Sequence, residues 1–284
     1  MKMEESASTA EAMREADVRA GEGAAAFAAP VILLHGFAQT PRSWDAVADM
    51  LRADGHEVHV PDLYARVRPL SMDDACAFLK EEASAACASG AKPVVVGYSM
   101  GGRIALETLA RTPNLPVAAV VLEGAGLGPQ DDAARAAFRA RGDAWAADLR
   151  DRGVEAFMDR WETLPLFASQ RALPADARAR VRADRVSRDA EELALSLTEA
   201  GQHKQARGAD SLAALARAAE RGVRVAYVHG CLDEKYGAVA HRVAEHVPAA
   251  QVEGVAGAGH NAHLEQPEAF ARVVELIARG LRTD

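Results

Sequence analysis

"PVVVGYSMGGRIALETLAR", Pro93 to Arg111, is the stretch on which the reading of this chain turns. Three valines followed by glycine and tyrosine read as a buried strand, and the residues after Ser99 read as a helix. Gly97 and Gly101 flank Ser99 at two residues on either side. A serine on a sharp strand-to-helix bend holds its hydroxyl clear of the sheet. The bend is strained and leaves no room for a neighbouring Cβ, which is why glycine is used there. The helix starts at once, so its free N-terminal amides face any anion that forms beside the hydroxyl. The spacing G-x-S-x-G in this setting predicts an activated serine.

A lone serine is a poor nucleophile and a poor base at neutral pH. It needs an imidazole within hydrogen-bond reach, itself oriented by a carboxylate. In a strand–elbow–helix setting the expected chain order is serine, acid, histidine. His260, in "GVAGAGHNAHLEQP" (254–267), follows two spaced glycines that free its backbone, and His263 is a second candidate. The acid belongs at the carboxyl end of the preceding strand, where "VAYVHGCLDEKYG" (225–237) offers Asp233, with Glu234 beside it. Glu123, ending "VVLEG", is the rival acid. Two backbone N–H groups must meet the developing negative charge. Met100 supplies one, and Phe37, in the loop after "VILLHG", the other; His35 is read as a support for that loop.

Around the elbow, short apolar runs alternate with alanine-rich helical stretches. The runs cover 31–36, 56–62, 93–98, 117–124, 223–230 and 250–255. Continuous rather than alternating apolarity fits strands covered on both faces, and intervening helices imply right-handed crossovers. The expectation is an α/β fold with a mostly parallel central sheet flanked by helices. Its core comprises 30–124 and 216–284, and a helical cap is inserted over 125–215. Residues 1–29 read as a mobile leader, with an edge strand near Val18 as the alternative. Between 131 and 210 the chain carries 14 basic and 15 acidic residues, so this insertion is far less acidic than the rest of a protein of net charge −8. Thirteen of those cations are arginine, whose planar fork suits carboxylates.

The acidic balance argues against nucleic acid as a partner, and no apolar run is long enough for membrane insertion. The start is too acidic for a secretory signal. Cys76, Cys87 and Cys231 have no metal-like spacing and read as small buried hydrophobes in a reducing compartment, so a cytoplasmic location is expected. No metal or organic cofactor is implied.

In order and spacing, "HGF", "GYSMGG", "GCLD" and "AGH" resemble the α/β-hydrolase superfamily. A finer set resembles the 2-succinyl-6-hydroxy-2,4-cyclohexadiene-1-carboxylate synthases of menaquinone biosynthesis: "GYSMGGR" at 97, "RGDAW" at 141, "FMDRWETLPLFAS" at 157, "GQHKQ" at 201 and "AGHNAHLEQP" at 258. That resemblance implies a lyase that eliminates pyruvate from a succinyl cyclohexene. Serine and histidine act as its base, and its partner is a small polycarboxylate. It also implies substrate contacts from Tyr98, Trp161, Arg139 and Arg185. Arg135, Arg141, Arg182 and Arg188 are register alternatives, and Lys235 and Gln205 are site neighbours. Arg103 stands at i+4 from Ser99 and so shares its helix face. Two departures bear on the cap: Ala125 replaces a proline common in that family, and "RGDAW" matches in a loose register. The alternatives are a hydrolase of carboxylesters or of C–C bonds beside a ketone, and a non-catalytic scaffold.

Overall fold

A computed structural model describes residues 28–280. The leader expected over 1–29 therefore falls outside the described residues but for its last two positions, as does the alternative strand near Val18.

Each of the six apolar runs contains a strand: β1 (Val31–Leu34), β2 (Val58–His59), β3 (Val94–Tyr98), β4 (Ala119–Glu123), β5 (Arg224–Gly230) and β6 (Gln251–Val255). They form one sheet in the order β2-β1-β3-β4-β5-β6, and every neighbouring pair is parallel. The alternating period of a strand sends successive side chains to opposite faces. Val31, Leu33, Val94, Val96 and Val121 pack on one face with Trp44, Leu51 and Phe270. Ile32, Leu34, Val95, Val120 and Leu122 pack on the other with Leu79, Ile104 and Leu215. Both faces are dry, so the strands read as unbroken apolar runs.

The helices in chain order are α1 (Asp45–Ala53), α2 (Met72–Ala86), α3 (Met100–Arg111), α4 (Asp132–Trp161), α5 (Ala175–Val186), α6 (Ala190–Glu199), α7 (Gly208–Glu220), α8 (Glu234–His246) and α9 (Pro267–Ala278). α1 and α9 cover the first face; α2, α3, α7 and α8 cover the second. The stretch between β4 and β5 is helical, and α5 and α6 both pack on α4 there, whereas α7 packs on α3 and β5. α4 is broken at Gly153, where φ is +75°.

β2 is much shorter than the run 56–62 that announces it. It lies at the sheet edge, Pro61 has no N–H to give to a ladder, and Asp62 caps the short helix Leu63–Arg66 by accepting from Tyr64 N. Cys76 is buried, as expected, but Cys87 is only partly so and Cys231 is exposed. Among the described residues no helix is long and apolar enough to cross a membrane.

The chain leaves β1 toward β2 on one side of the sheet and returns to β3 on the other. At such a switch point the loops beyond the strand ends part, and a crevice opens at the carboxyl ends of β1 and β3. Ser99 is the first residue beyond β3.

Candidate active site

The elbow has the strain its sequence announces. Ser99 has φ +48° and ψ −99°, a region that costs a non-glycine residue of order 1–3 kcal/mol. A Cβ on Gly97 would lie 2.5 Å from Gly102 N, and one on Gly101 would collide with the carbonyl of Leu34. The strain is held by the sheet: Ser99 N donates to Glu123 O at 2.8 Å, and Arg103 N donates to Ser99 O at 3.0 Å.

His260 arrives from the loop after β6. Its Nε2 lies 3.3 Å from Ser99 Oγ, and its Nδ1 lies 2.9 Å from Asp233 Oδ2. The other oxygen of Asp233 accepts from Tyr236 N at 3.1 Å, so the carboxylate is fixed as the N-cap of α8. Tyr236 stacks on the imidazole at 4.6 Å between ring centroids. Tyr98 leans on it at 5.2 Å, and a Cβ on Gly124 would come within 2.9 Å of its Cε1. The sequence missed Tyr236; its signal was the "DEKY" spacing, which puts the ring in the first turn of α8.

The rival groups sit elsewhere. Glu123 turns to His263, accepting from its Nδ1 at 2.6 Å and from its backbone N at 3.0 Å. Both side chains are fully buried, and Trp44 stacks on His263 at 3.7 Å. Glu234 is exposed at the cavity edge, whereas the imidazole of His260 is paired with Asp233.

His35 spends both ring nitrogens on the loop after β1: Nδ1 donates to Gly36 O at 2.9 Å, and Nε2 accepts from Leu63 N at 3.0 Å. Phe37 and Met100 both line the cavity beside Ser99. Among the described residues neither of their backbone N–H groups donates to a protein acceptor.

The cavity has a volume of about 540 Å³ and is open at one side. Ser99, His260 and Asp233 form part of its floor, while Trp145, Trp161 and Phe167 form much of its wall. Trp161 lies 5.0 Å from the Phe37 ring and 4.8 Å from that of Trp145. Burial pushes the Tyr98 phenol well above its ordinary range, with Glu123 adding to the shift, and burial takes Tyr236 to about 12. Both rings therefore act as neutral walls at physiological pH.

Of the predicted arginines, Arg103 and Arg185 line the cavity. Arg103 Nη1 donates to Ala200 O at 2.8 Å, and among the described residues no carboxylate pairs with it. Burial pushes its guanidinium down to about 10, so it remains a full cation at neutral pH. Arg185 is 4% exposed and held by Glu162 and by Gln170 Oε1, each at 3.0 Å, with its guanidinium 5.0 Å from the Phe167 ring. Arg139 is a correction: it is exposed and does not line the cavity, and Arg141 does. The helical period decides it. Phe138, Arg141, Gly142 and Trp145 are spaced i, i+3, i+4, i+7 and face inward, which turns Arg139 away. Arg135 donates to the carbonyls of His203 and Gln205, Arg182 pairs with Asp159 and Glu162, and Arg188 pairs with Asp62. Lys235 lines the cavity mouth, whereas Gln205 is turned to Gly126 O.

A hydroxyl–imidazole–carboxylate chain opening on such a cavity either attacks a carbonyl or takes a proton. The comparisons with known proteins bear on which protein this is. The model of the alpha/beta hydrolase family matches residues 31–273. A Bacillus subtilis (strain 168) protein, whose name assigns it provisionally as a 2-succinyl-6-hydroxy-2,4-cyclohexadiene-1-carboxylate synthase, is 36% identical over 86% of this chain and 88% of its own. A synthase of that name from Enterobacter sp. (strain 638) is 30% identical over 88% and 91%. Among solved structures, MenH from S. aureus superposes with a TM-score of 0.79 at 25% identity, covering 89% of this chain and 94% of its own. An esterase from Thermogutta terrifontis shares the fold, with a TM-score of 0.71 at 23% identity over 90% and 91%. The chain belongs to the alpha/beta hydrolase family, and its curated relatives carry the name of an enzyme of menaquinone biosynthesis.

Proposed function

We infer that the protein is a lyase that removes pyruvate from 2-succinyl-5-enolpyruvyl-6-hydroxy-3-cyclohexene-1-carboxylate, giving 2-succinyl-6-hydroxy-2,4-cyclohexadiene-1-carboxylate. One observation carries this reading beyond the names of the relatives. The Ser99–His260–Asp233 chain opens on a cavity that also holds Arg103, a half-buried guanidinium with no carboxylate partner among the described residues. An unpaired cation drawn partly out of water is costly unless a ligand supplies the anion. A substrate with several carboxylates supplies it; a neutral ester does not.

Ser99 Oγ takes the ring proton beside the succinyl ketone and passes its own proton to His260 Nε2, while Asp233 stabilises the imidazolium through Nδ1. The electron pair of the broken C–H bond moves onto the ketone oxygen. The Phe37 and Met100 N–H groups hold that enolate with the same dipoles that would hold a tetrahedral oxyanion. The enolate collapses, the ring double bond shifts, and the C–O bond to the enolpyruvyl group breaks. The pyruvate enolate that leaves takes the proton from His260 at its methylene carbon, and the site returns to its starting state. Arg103 and Arg185, with Arg141 at the rim, hold the carboxylates; Tyr98 and Trp161 supply apolar wall.

The test is pyruvate release from the enolpyruvyl cyclohexene by purified protein, read with a pyruvate-specific coupled assay. Release well above the uncatalysed rate, abolished in Ser99→Ala, is the expected result. Background release alongside brisk turnover of an aryl ester would overturn the lyase in favour of a hydrolase.

A further inference from the structure

The loop that carries Phe37 has little of its own to hold it. Within Gly36–Thr40 the hydrogen bonds all run between Gly36 and Gln39: Gln39 N donates to Gly36 O at a long 3.4 Å, and Gly36 N donates to Gln39 Oε1 at 2.8 Å. Ala38 sits at φ +57°, a conformation a non-glycine residue keeps only when outside contacts enforce it. Those contacts come largely from the cap. Gln39 O accepts from Arg188 Nη2 at 2.6 Å and from Nε at 3.0 Å. The same guanidinium reaches both oxygens of Asp62, each at 3.0 Å, and Asp62 Oδ1 lies 3.6 Å from His35 Nε2. One residue on, Thr40 N donates to Asp184 Oδ2 at 3.0 Å, and its hydroxyl donates to Oδ1. On the other side of Phe37, Ala38 N donates to Tyr64 Oη at 3.3 Å. The Tyr64 ring lies under Arg188, 4.8 Å away, and its hydroxyl meets Ser196 Oγ of α6 at 3.3 Å and Met100 Sδ at 3.9 Å.

We propose that Arg188 is a positioning residue: from the turn between α5 and α6 it clamps the Phe37 loop so that its N–H is aimed at the anion formed beside Ser99. The assignment rests on reading the Phe37 N–H as an oxyanion donor. It also makes the competence of the core depend on the cap being docked. Arg188 does not line the cavity, so it acts through the loop and not on the substrate. Its planar fork is the reason for arginine here. One guanidinium serves a carbonyl and a carboxylate at once, which a lysine ammonium on its flexible stem does not reproduce.

A donor displaced by about 1 Å costs on the order of a hundredfold in rate, and losing one oxyanion donor outright costs about 10²–10³. With Asp184 and Tyr64 still in place, Arg188→Ala should lower kcat by about tenfold to a hundredfold at nearly constant KM. Arg188→Lys should fall between the two. Millimolar guanidinium ion should restore part of the loss in Arg188→Ala. Arg150→Ala, which removes an exposed cap cation paired with Glu191 and hydrogen-bonded to no residue of the Phe37 loop, is the control. Each variant is read on the enolpyruvyl cyclohexene and on a neutral aryl ester, with melting curves alongside. Both chemistries use the same pair of amides, so the lyase reading can fail on the first substrate while the second still tests Arg188. The proposal is overturned if kcat on both substrates stays within about twofold of wild type. A loss confined to KM for the carboxylate substrate overturns it too, as does an equal loss in Arg150→Ala.

Discussion

Glu123→Ala tests whether the second carboxylate–imidazole pair holds the histidine loop in place. Glu123 ends β4 and is fully buried, and its side chain accepts two hydrogen bonds from His263, at 2.6 and 3.0 Å. Its own carbonyl accepts from Ser99 N at 2.8 Å, so one residue ties the elbow by its backbone and the histidine loop by its side chain. Hydrogen bonds to charged groups are worth about 1.5–3 kcal/mol each, so losing both costs about 3–6 kcal/mol. The alanine variant should therefore lose about 4 kcal/mol. At about 2–4 °C per kcal/mol for a chain of this size, that is a fall in Tm of roughly 10 °C. Glu123→Gln should lose less, because its amide oxygen still accepts from the backbone of His263. Thermal melting by circular dichroism measures both. A Tm for Glu123→Ala within about 2 °C of wild type would refute the reasoning, since that loss is under 1 kcal/mol.

Ser99→Ala and His260→Ala should each lower kcat by at least about a hundredfold, the lower end of general-base contributions, measured as pyruvate release. Arg103→Ala should raise KM for the polycarboxylate and leave a neutral aryl ester almost untouched; equal damage to both would make the arginine structural. The same cation sets a pH limit. Burial puts the Arg103 guanidinium near 10, so carboxylate binding is present below that pH and lost as pH rises through it, visible as a rising KM for the polycarboxylate alone. Arg141→Ala should raise that KM as well, whereas Arg139→Ala, on the outward face of α4, should stay within about twofold of wild type.

The sequence made the reacting groups legible because each sits at a strand end with a steric marker. Gly97 and Gly101 announce the elbow at Ser99, and Gly257 and Gly259 announce the free loop that brings in His260. Position favours Asp233, three residues beyond β5, over Glu123, the last residue of β4, and the side chains divide accordingly, Asp233 to His260 and Glu123 to His263. The cap was harder. Arg139 and Arg141 differ by two residues, or about half a turn, and the choice depends on how α4 is rotated against the cavity. Nothing local in the sequence fixes that rotation. Arg188 was weighed as a substrate ligand because it is an arginine in the cap. Its partners are Asp62, 126 residues away, and Gln39, 149 residues away, and such distant pairings leave no trace in a spacing pattern. β2 was overestimated for the opposite reason: its apolar residues run on past the point where Pro61 ends the ladder.

Elimination and hydrolysis would use the same serine, imidazole and amides, so what separates them here must lie in the walls. Hydrolysis needs a water beside the acylated serine, whereas elimination needs none and is best run dry, where each dipole acts more strongly on the enolate. Trp161 is the residue on which dryness depends. Its ring lies 5.0 Å from Phe37, 5.6 Å from Phe157, 4.8 Å from Trp145 and 5.8 Å from Phe167, joining both halves of α4 to the Phe37 loop and to the segment that leans on His260. Trp161→Ala removes that junction and admits water at the side of the cavity nearest the oxyanion amides. Pyruvate release should fall by about tenfold or more, in keeping with the loss of a positioned and desolvated site. Hydrolysis of an aryl ester should fall much less, or rise. The ratio of the two rates in one preparation is the measurement, because it cancels any loss of folded protein. If both activities fall in step, water exclusion by Trp161 does not discriminate between elimination and hydrolysis.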